Sequence, residues 1–314
     1  MDIDMTDIHE LKPSEYSDFI SLWQEAFGDD EQEINAFTNA FASELKCFIL
    51  TDSTEKAHSA LTLFKMGELT IPKENVRKDV YVSYAICTSK LARGKGYGAA
   101  ITNYAASFVT KNAAGWCGNN GISVLSPASN SLINFYKSLG YKPIFLSHQG
   151  RVDVFPTNEA INSLIVKTIS PNEYNIKREQ ILHDLIHISL SINSLNYLAG
   201  YSHFHSFTLP SDGLKGIFIT SSPIENEKIS LDELLVSKTP LSDATEKISV
   251  TGKDYDFAGE SIAKHFNASI CTYNSPAFSG NDHVQAMLFI ADEETDLISE
   301  KKSFYQPYFA FPFD

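Results

Sequence analysis

The first part of the chain has apolar residues at helical spacing, followed by short apolar runs that are typical of strands. Residues 13–28 predict a helix whose apolar stripe consists of Phe19, Leu22, Trp23 and Ala26. Asp29 and Asp30 then precede a second helical stripe, formed by Ile34, Phe37 and Phe41. Strands are predicted at residues 47–50, 60–64, 80–88, 122–125 and 142–146, and helices near residues 99–108 and 131–139. This order predicts a mixed α/β domain over residues 1–150.

The second half also has helical patterns ahead of strand patterns. We predict a polar connection at residues 151–162 and two helices, one beginning at Pro171 and one covering residues 185–198. Strands are predicted at residues 216–220, 268–272, 286–290 and 304–313. A second α/β domain over residues 151–314 is therefore expected.

The chain is long enough for two domains and apolar enough to form their cores. It has 314 residues, of which 43% are hydrophobic. Its net charge of −14 argues against a general nucleic-acid-binding protein and against binding to anionic membrane surfaces. We find no pattern that indicates an export signal or a membrane span.

Cysteine and histidine spacing predicts neither a disulfide framework nor a metal site. The four cysteines are Cys47, Cys87, Cys117 and Cys271, and no two of them form a C-x-x-C pair. No H-E-x-x-H pattern occurs among the histidines. We therefore expect no bound metal and a cytoplasmic location, where thiols stay reduced.

Charge is distributed unevenly within the first domain. Residues 1–44 contain twelve acidic residues and one basic residue, whereas residues 45–150 contain five acidic and twelve basic residues. This reversal favours two ligands of opposite charge. The alternative is that the acidic residues only solvate the outer faces of the first two helices.

A glycine-rich segment, residues 93–98, lies between the predicted strand at 80–88 and the helix that follows. Glycines let an anionic group approach the free backbone N–H groups at a helix N-terminus, so this segment predicts a diphosphate-binding loop. It lacks the G-x-x-x-x-G-K-[ST] pattern of a nucleoside-triphosphate site and the acidic residue of a dinucleotide fold. A tight turn without a ligand is the alternative.

A second motif follows the glycine loop along the chain. Phe135, Tyr136, Gly140 and Tyr141 match F-Y-x-x-x-G-[FY], and the glycine loop matches [RQ]-x-x-G-x-[GA]. Together the two motifs resemble the GCN5-related N-acetyltransferase (GNAT) superfamily. The resemblance implies the GNAT acyl-CoA N-acyltransferase fold, with acetyl-CoA as co-substrate.

The resemblance also implies roles for individual residues. The coenzyme A pyrophosphate would be held by the loop residues Arg93, Gly94, Lys95, Gly96, Tyr97, Gly98 and Ala99. Ile86, Cys87 and Thr88 would bind the pantetheine arm and orient the thioester carbonyl, and Ser129 would contact coenzyme A. Tyr136 would protonate the departing thiolate, although a packed aromatic side chain without that role is the alternative. We interpret Cys87 as a small buried residue, so direct transfer is favoured over a covalent intermediate.

Two further sequence segments resemble a two-domain branch of this superfamily, which includes the enhanced-intracellular-survival acetyltransferases. They are Leu125-Ser126-Pro127-Ala128-Ser129 and Phe27-Gly28-Asp29-Asp30. In that branch the second domain is commonly a degenerate GNAT-like fold, the chain-terminal carboxylate can act as general base, and members often form homo-oligomers. The base would be Asp314 here, and a solvated tail is the alternative.

These patterns predict an N-acetyltransferase that transfers acetyl directly from acetyl-CoA to an amine. The acidic residues near the start favour a cationic small molecule or a peptide amine as acceptor, with Asp29 and Asp30 as its binding residues. A helix-capping role for either aspartate is the alternative. A non-catalytic acyl-CoA-binding sensor, or a pure interaction protein, is the alternative function.

Overall fold

A computed structural model of the chain describes residues 7–72, 76–111, 121–154, 164–221, 227–238, 250–276 and 282–289. The helices are α1 (Tyr16–Phe27), α2 (Glu31–Ala40), α3 (Tyr97–Thr110), α4 (Asn130–Ser138), α5 (Pro171–Leu182), α6 (Ile192–Leu198) and α7 (Gly252–His265). The strands of the first half are β1 (Asp7–Glu10), β2 (Leu45–Thr51), β3 (Ala57–Ile71), β4 (Val76–Thr88), β5 (Ile122–Leu125) and β6 (Tyr141–Asp153). Those of the second half are β7 (Ile165–Thr168), β8 (His187–Leu190), β9 (His203–Leu209), β10 (Leu214–Thr220), β11 (Lys228–Leu231), β12 (Glu233–Lys238), β13 (Ile270–Pro276) and β14 (Asp282–Phe289).

The strands form one large and one small sheet. The large sheet has the order β1-β2-β3-β4-β5-β14-β6-β13-β11, and β8 also pairs with β3. The small sheet has the order β12-β10-β9-β7. Neighbouring strands are antiparallel except for β4 with β5 and β11 with β13, which are parallel. The architecture is therefore the mixed α/β class that the sequence predicts.

Helix α1 ends and α2 begins where their sequence signals predict, whereas α1 begins at Tyr16, because the predicted start at Pro13 opens a 3-10 turn over Pro13–Glu15. Gly28 adopts φ 87° at the end of α1, a conformation that favours glycine. The Asp30 side chain accepts hydrogen bonds from the backbone N–H groups of Gln32 and Glu33 and thereby caps α2. The apolar faces of both helices pack on the large sheet, where Trp23 and Phe37 are about 2% exposed.

The second half repeats part of the element order of the first, with β8 added between its first two helices and β12 between β11 and α7. In the first half, α1 and α2 lie between β1 and β2 along the chain, and α3 leads to a strand parallel to β4. In the second half, α5 and α6 lie between β7 and β9, and α7 leads to a strand parallel to β11. This repetition agrees with the predicted second GNAT-like fold.

Two secondary-structure predictions for the second half are corrected, and several elements have no predicted counterpart. Residues 185–198 do not form one helix, because His187–Leu190 pairs as β8 with Gly67–Thr70 of β3 and only Ile192–Leu198 is helical. Residues 151–153 belong to β6 rather than to a connection, since they pair with β13. Helix α7 and strands β7, β9, β11 and β12 have no counterpart among the predictions. The predicted strand at residues 304–313 lies outside the described residues.

Strands from both halves share the large sheet. Strand β14 lies between β5 and β6 and is antiparallel to both. Its Gln285 fixes this arrangement from two sides: the Ser126 hydroxyl donates to the Gln285 carbonyl at 2.7 Å, and the Ser147 hydroxyl donates to its Oε1 at 2.8 Å. The edges of β5 and β6 are therefore completed by residues more than a hundred positions further along the chain.

None of the helices in the described part of the chain is both long enough and apolar enough to cross a membrane.

Candidate functional site

The glycine loop leaves several backbone N–H groups free at the start of α3. Gly94 and Gly96 adopt φ values of 78° and 86°, which are unfavourable for other residues. A Cβ atom at either glycine would meet nothing within 4 Å, so the space above the loop is open. The first N–H that bonds within the helix is that of Ala100, which donates to the Gly96 carbonyl at 3.0 Å. The preceding amides of the first turn have no intrahelical acceptor and form a site for an anion.

Neighbouring side chains fix the position of this loop. The Arg93 Nε donates to the Thr88 carbonyl at 3.4 Å, which ties the loop to the end of β4. The Tyr97 ring stacks on His58, with ring centres 5.2 Å apart, and the His58 Nε2 lies 2.7 Å from the Asp52 carboxylate. A Cβ on Gly98 would lie 3.2 Å from the Thr88 hydroxyl, so α3 begins in close contact with β4.

Strand β4 is irregular just before the loop. Ala60 of β3 lies opposite Cys87, and Thr62 lies opposite Tyr84, so β4 contains one extra residue between these pairs. Ala85 within this bulge has φ 50°. The pairing of β4 with β5 ends at Val82. Residues 83–88 are therefore not paired to β5.

Tyr136 lies on α4 within an aromatic cluster. Its ring centre is 5.1 Å from that of Phe135 and 6.1 Å from that of Tyr141, and Ile86 of the bulge packs against the same cluster. The residue is 6% exposed, and its hydroxyl forms no hydrogen bond with any residue that the structure describes. Burial raises the pKa of Tyr136 to about 12. The phenol therefore keeps its proton at neutral pH.

Cys87 is not arranged as a nucleophile. Its side chain is buried, and the thiol donates to the Ala60 carbonyl at 3.5 Å. Burial raises the pKa of Cys87 to about 12, which suppresses the thiolate. Ser129, the residue before α4, is exposed, and its hydroxyl lies 2.9 Å from that of Ser131.

An aromatic pocket of about 200 Å³ lies beside the bulge of β4. Five rings line it, and they belong to Trp23, Phe37, Tyr84, Tyr197 and Tyr201. The first three come from α1, α2 and β4, and the last two come from α6 and the residues after it. Both halves of the chain thus form the pocket wall.

Two carboxylates, Asp29 and Glu33, also line the aromatic pocket. The Asp29 Oδ2 accepts a hydrogen bond of 2.6 Å from the Trp23 indole, which holds the carboxylate against a ring of the wall. Burial, together with neighbouring groups that include Tyr84 and both carboxylates, raises the pKa of Tyr197. Cations are favoured at a site that combines carboxylates with ring faces.

Asp29 and Asp30 have different environments. Asp30 is exposed, and its Oδ1 accepts hydrogen bonds of 2.8 and 2.9 Å from the Gln32 and Glu33 amides at the start of α2. It has the capping role considered as the alternative, whereas Asp29 lines the pocket. The sequence patterns did not single out Glu33, Tyr197 or Tyr201, because the pocket forms only when the two halves pack together.

The predicted general base, Asp314, lies outside the described residues. Within the described ranges, no group of three or more histidine, cysteine, aspartate or glutamate side chains is arranged to hold a metal ion.

No protein-family model matches the sequence, and no curated protein matches it. Solved structures with similar folds include a conserved protein of unknown function from Enterococcus faecalis, with a TM-score of 0.65 and 13% identity over 93% of this chain and 74% of that chain. A GCN5-related N-acetyltransferase from Anabaena variabilis matches with a TM-score of 0.63 and 12% identity over 90% of this chain and 72% of that one. Eis1 from Mycobacterium abscessus matches with a TM-score of 0.56 and 12% identity over 93% of this chain and 75% of that one.

These matches extend over both halves of the chain. At 12–13% identity they show the fold alone, and that fold is the two-domain one that the sequence resemblance implies.

Proposed function

We propose that this chain is an acetyl-CoA-dependent N-acetyltransferase that transfers acetyl directly to a cationic amine. One observation carries the proposal. A single strand, β4, has an acidic aromatic pocket beside Tyr84, a bulge at Ala85 and the glycine loop beyond Thr88. An amine acceptor and an anionic acyl donor would thus meet at adjacent positions of one strand.

The glycine loop has the features required for the coenzyme A pyrophosphate. Free amides at the start of α3 carry partial positive charge, and the space beside Gly94 and Gly96 is open. Arg93 and Lys95 are exposed in the same loop and add full positive charges. Acetyl-CoA supplies the acetyl thioester when it is bound there.

The bulge of β4 and Tyr136 would act on the thioester itself, one on its carbonyl oxygen and the other on its sulfur. The backbone near Ile86 and Cys87, which is not paired to β5, would orient the thioester carbonyl and donate to its oxygen as negative charge develops. Tyr136, which stays protonated because burial raises its pKa to about 12, would donate its proton to the departing sulfur. The neutral, buried Cys87 thiol supports direct attack by the amine rather than an acyl-cysteine intermediate.

The acceptor proposal rests on the aromatic pocket. Asp29 and Glu33 would attract an ammonium group, and the rings of Trp23, Tyr84 and Tyr197 would contact it and the alkyl carbons beside it. A small molecule or a peptide side chain with a primary amine has this chemistry. The general base remains a prediction at Asp314, based on the resemblance alone.

A thiol-release assay with acetyl-CoA tests the proposal. Purified full-length protein is offered cationic amines, neutral amines and anionic amines of similar size, and free coenzyme A and acetylated product are both measured. We expect release that depends on the cationic amines. Tight acetyl-CoA binding without transfer to any amine would instead favour the non-catalytic acyl-CoA sensor.

A further inference from the structure

A groove on the second half of the chain is separate from the residues discussed above. It lies on one face of the small sheet, where α5 crosses the strands, and its volume is about 470 Å³. We call it the α5 groove. Its polar lining consists of residues from α5 and from the strands, namely Glu173, Lys177, Gln180, Lys167, Ser206, Thr208, Lys215 and Ser237.

The strand register brings the side chains from the strands to one face. Thr208 pairs with Lys215, and Lys215 pairs with Ser237. In the adjacent row, Lys167 pairs with Ser206. Alternate residues of a strand point to the same side of the sheet, so both rows face α5. The opposite face of the sheet packs against α7 and is apolar.

The α5 groove is basic although the chain as a whole is acidic. Three lysine ammonium groups line it, and the single carboxylate among the lining residues is that of Glu173, which lies 3.6 Å from the Lys177 Nζ. The groove therefore has a local excess of positive charge in a protein whose net charge is −14. An anion would be concentrated there by the local field.

The hydrogen-bonding groups of the groove are available to a ligand. Among the described residues, Lys167 and Lys215 form no ion pair, whereas the strand lysines Lys46, Lys65 and Lys238 each contact a carboxylate at 2.6 to 2.8 Å. The hydroxyls of Ser206, Thr208 and Ser237 likewise bond to no side chain or carbonyl in the described part of the chain. These ammonium and hydroxyl donors converge on one space, which matches the acceptor oxygens of an oxyanion.

Apolar side chains complete the α5 groove. Ile165 is 49% exposed at its rim, and Ile181 and Ile217 also line it. A cavity of this size accommodates a small molecule rather than a single ion. We propose that the α5 groove binds a small molecule in which a phosphate or carboxylate group is joined to a short apolar chain.

Calorimetry on the full chain tests this proposal with two probes, n-hexyl phosphate and hexanoate, and with n-hexanol as the matched neutral control. We expect at least one anionic probe to bind and n-hexanol not to bind. Binding of the phosphate alone would identify a phosphorylated ligand, whereas binding of both anions would identify a general oxyanion site. Failure of both anions to bind, or equal binding of n-hexanol, would overturn the proposal.

Two double lysine variants test whether the anionic probe binds in the α5 groove. Lys167→Gln/Lys215→Gln should lower the affinity for the anionic probe by about tenfold or more, because two charged contacts are lost. Lys228→Gln/Lys253→Gln removes the same charge from two exposed lysines outside the groove and should leave affinity nearly unchanged. An equal loss in both double variants would mean that only the overall charge matters, and the groove would be rejected.

Competition separates this site from the glycine loop. Saturating acetyl-CoA should not displace the anionic probe, and the probe should still protect the backbone amides of β9 and β10 from hydrogen exchange. If acetyl-CoA displaces it, the probe binds at the loop and the α5 groove is not the site. Because this outcome does not depend on amine acetylation, the proposal can fail or stand independently of the proposed function.

Discussion

Single side chains determine whether the acyl-transfer proposal is chemically sound. Tyr136 is the clearest case, because its hydroxyl has no partner among the described residues and its burial favours the neutral phenol. A proton donor of this kind is useful only when a leaving group approaches. Its ring already contributes to packing, so ring and hydroxyl can be tested separately.

Replacing Tyr136 by phenylalanine should lower kcat roughly 10- to 1000-fold, because the ring is retained and only the proton donor is lost. The melting temperature should change little. In the wild type, kcat should show no fall between pH 9 and 10, since the pKa of Tyr136 is raised to about 12 and the proton is retained. Steady-state kinetics over this pH range check both expectations. An unchanged kcat in the variant would assign Tyr136 to packing alone.

Asp29 and Asp30 give a matched pair for the acceptor site. Asp29→Asn keeps an acceptor for the Trp23 indole but removes the charge, so we expect the KM for a cationic amine to rise by about tenfold while the KM for acetyl-CoA stays constant. Asp30→Asn removes the same charge from a residue that caps α2, and asparagine is an equally good cap. Initial rates at varied amine and salt concentrations check the difference. Equal effects of the two variants would contradict specific binding at the pocket.

Sequence patterns could identify only part of this site. The glycine loop and Tyr136 each belong to a short sequence motif. One strand, one loop and two helices carry both motifs, so the sequence is enough to predict that they lie close together. Tyr197 and Tyr201 belong to no motif, and they reach the pocket because α6 packs against α2. Glu33 forms a local capping bond to the Asp30 amide, but its position at the pocket depends on how α2 packs, which its sequence neighbours do not indicate.

Two helices in equivalent positions of the two halves have different N-termini. Helix α3 begins at Gly96 without a capping side chain, so its amides are free. Helix α7 begins after Thr251, and the Asp254 carboxylate in its first turn accepts hydrogen bonds from the Thr251 amide and hydroxyl at 2.7 and 2.8 Å. Its negative charge already occupies the positive end of the helix dipole. Only the first of the two helices is suited to bind an anion.

This contrast leads to a test of the loop. Gly96→Asp adds a carboxylate where the pyrophosphate would bind and forces a side chain into φ 86°, so acetyl-CoA affinity should fall roughly 100-fold or more. Gly252→Asp introduces the same residue at the start of α7, where φ is not positive and a Cβ meets nothing within 4 Å, and it should leave affinity unchanged. Calorimetry with acetyl-CoA, together with thermal unfolding, compares the two. Unaltered affinity in a folded Gly96→Asp protein would exclude the loop.

Element predictions succeeded where the signal was local and failed where pairing was distant. The ends of α1, α2 and β5 agree closely with their caps and apolar runs. Residues 185–198 have apolar positions that also fit a helix, and the first of them form β8 because β3 continues far enough to pair with them. Helix α7 was overlooked because much of its buried face consists of small residues, including Ala258 and Gly259, which pack closely on β13.

At the scale of the whole molecule, the order of strands makes the two halves mutually dependent. Strand β6 has β14 on one side and β13 on the other, and both come from the second half. Strand β5 depends on β14 along one edge. Without these partners, the first half would present unpaired strand edges, which promote aggregation.

A fragment of residues 1–154 should therefore not form a stable monomer. We expect it to aggregate or to unfold without a cooperative transition, as measured by size-exclusion chromatography and thermal circular dichroism. As a control, full-length protein cut at a protease site engineered within residues 155–163 should elute as one species that contains both pieces, because β14 and β13 hold them together. A monomeric fragment with cooperative unfolding would contradict the importance of the shared sheet.

The position of β14 also has a consequence during synthesis. Ser126 and its partner Gln285 are 159 residues apart. At a translation rate of about 5–20 residues per second, roughly 8 to 30 seconds pass between the synthesis of β5 and that of β14, which completes its edge. The nascent chain therefore passes through a period in which its glycine loop has been made but the centre of its sheet is open. Completion of that centre is a late event with high contact order, and we expect it to limit the rate at which newly made molecules become native.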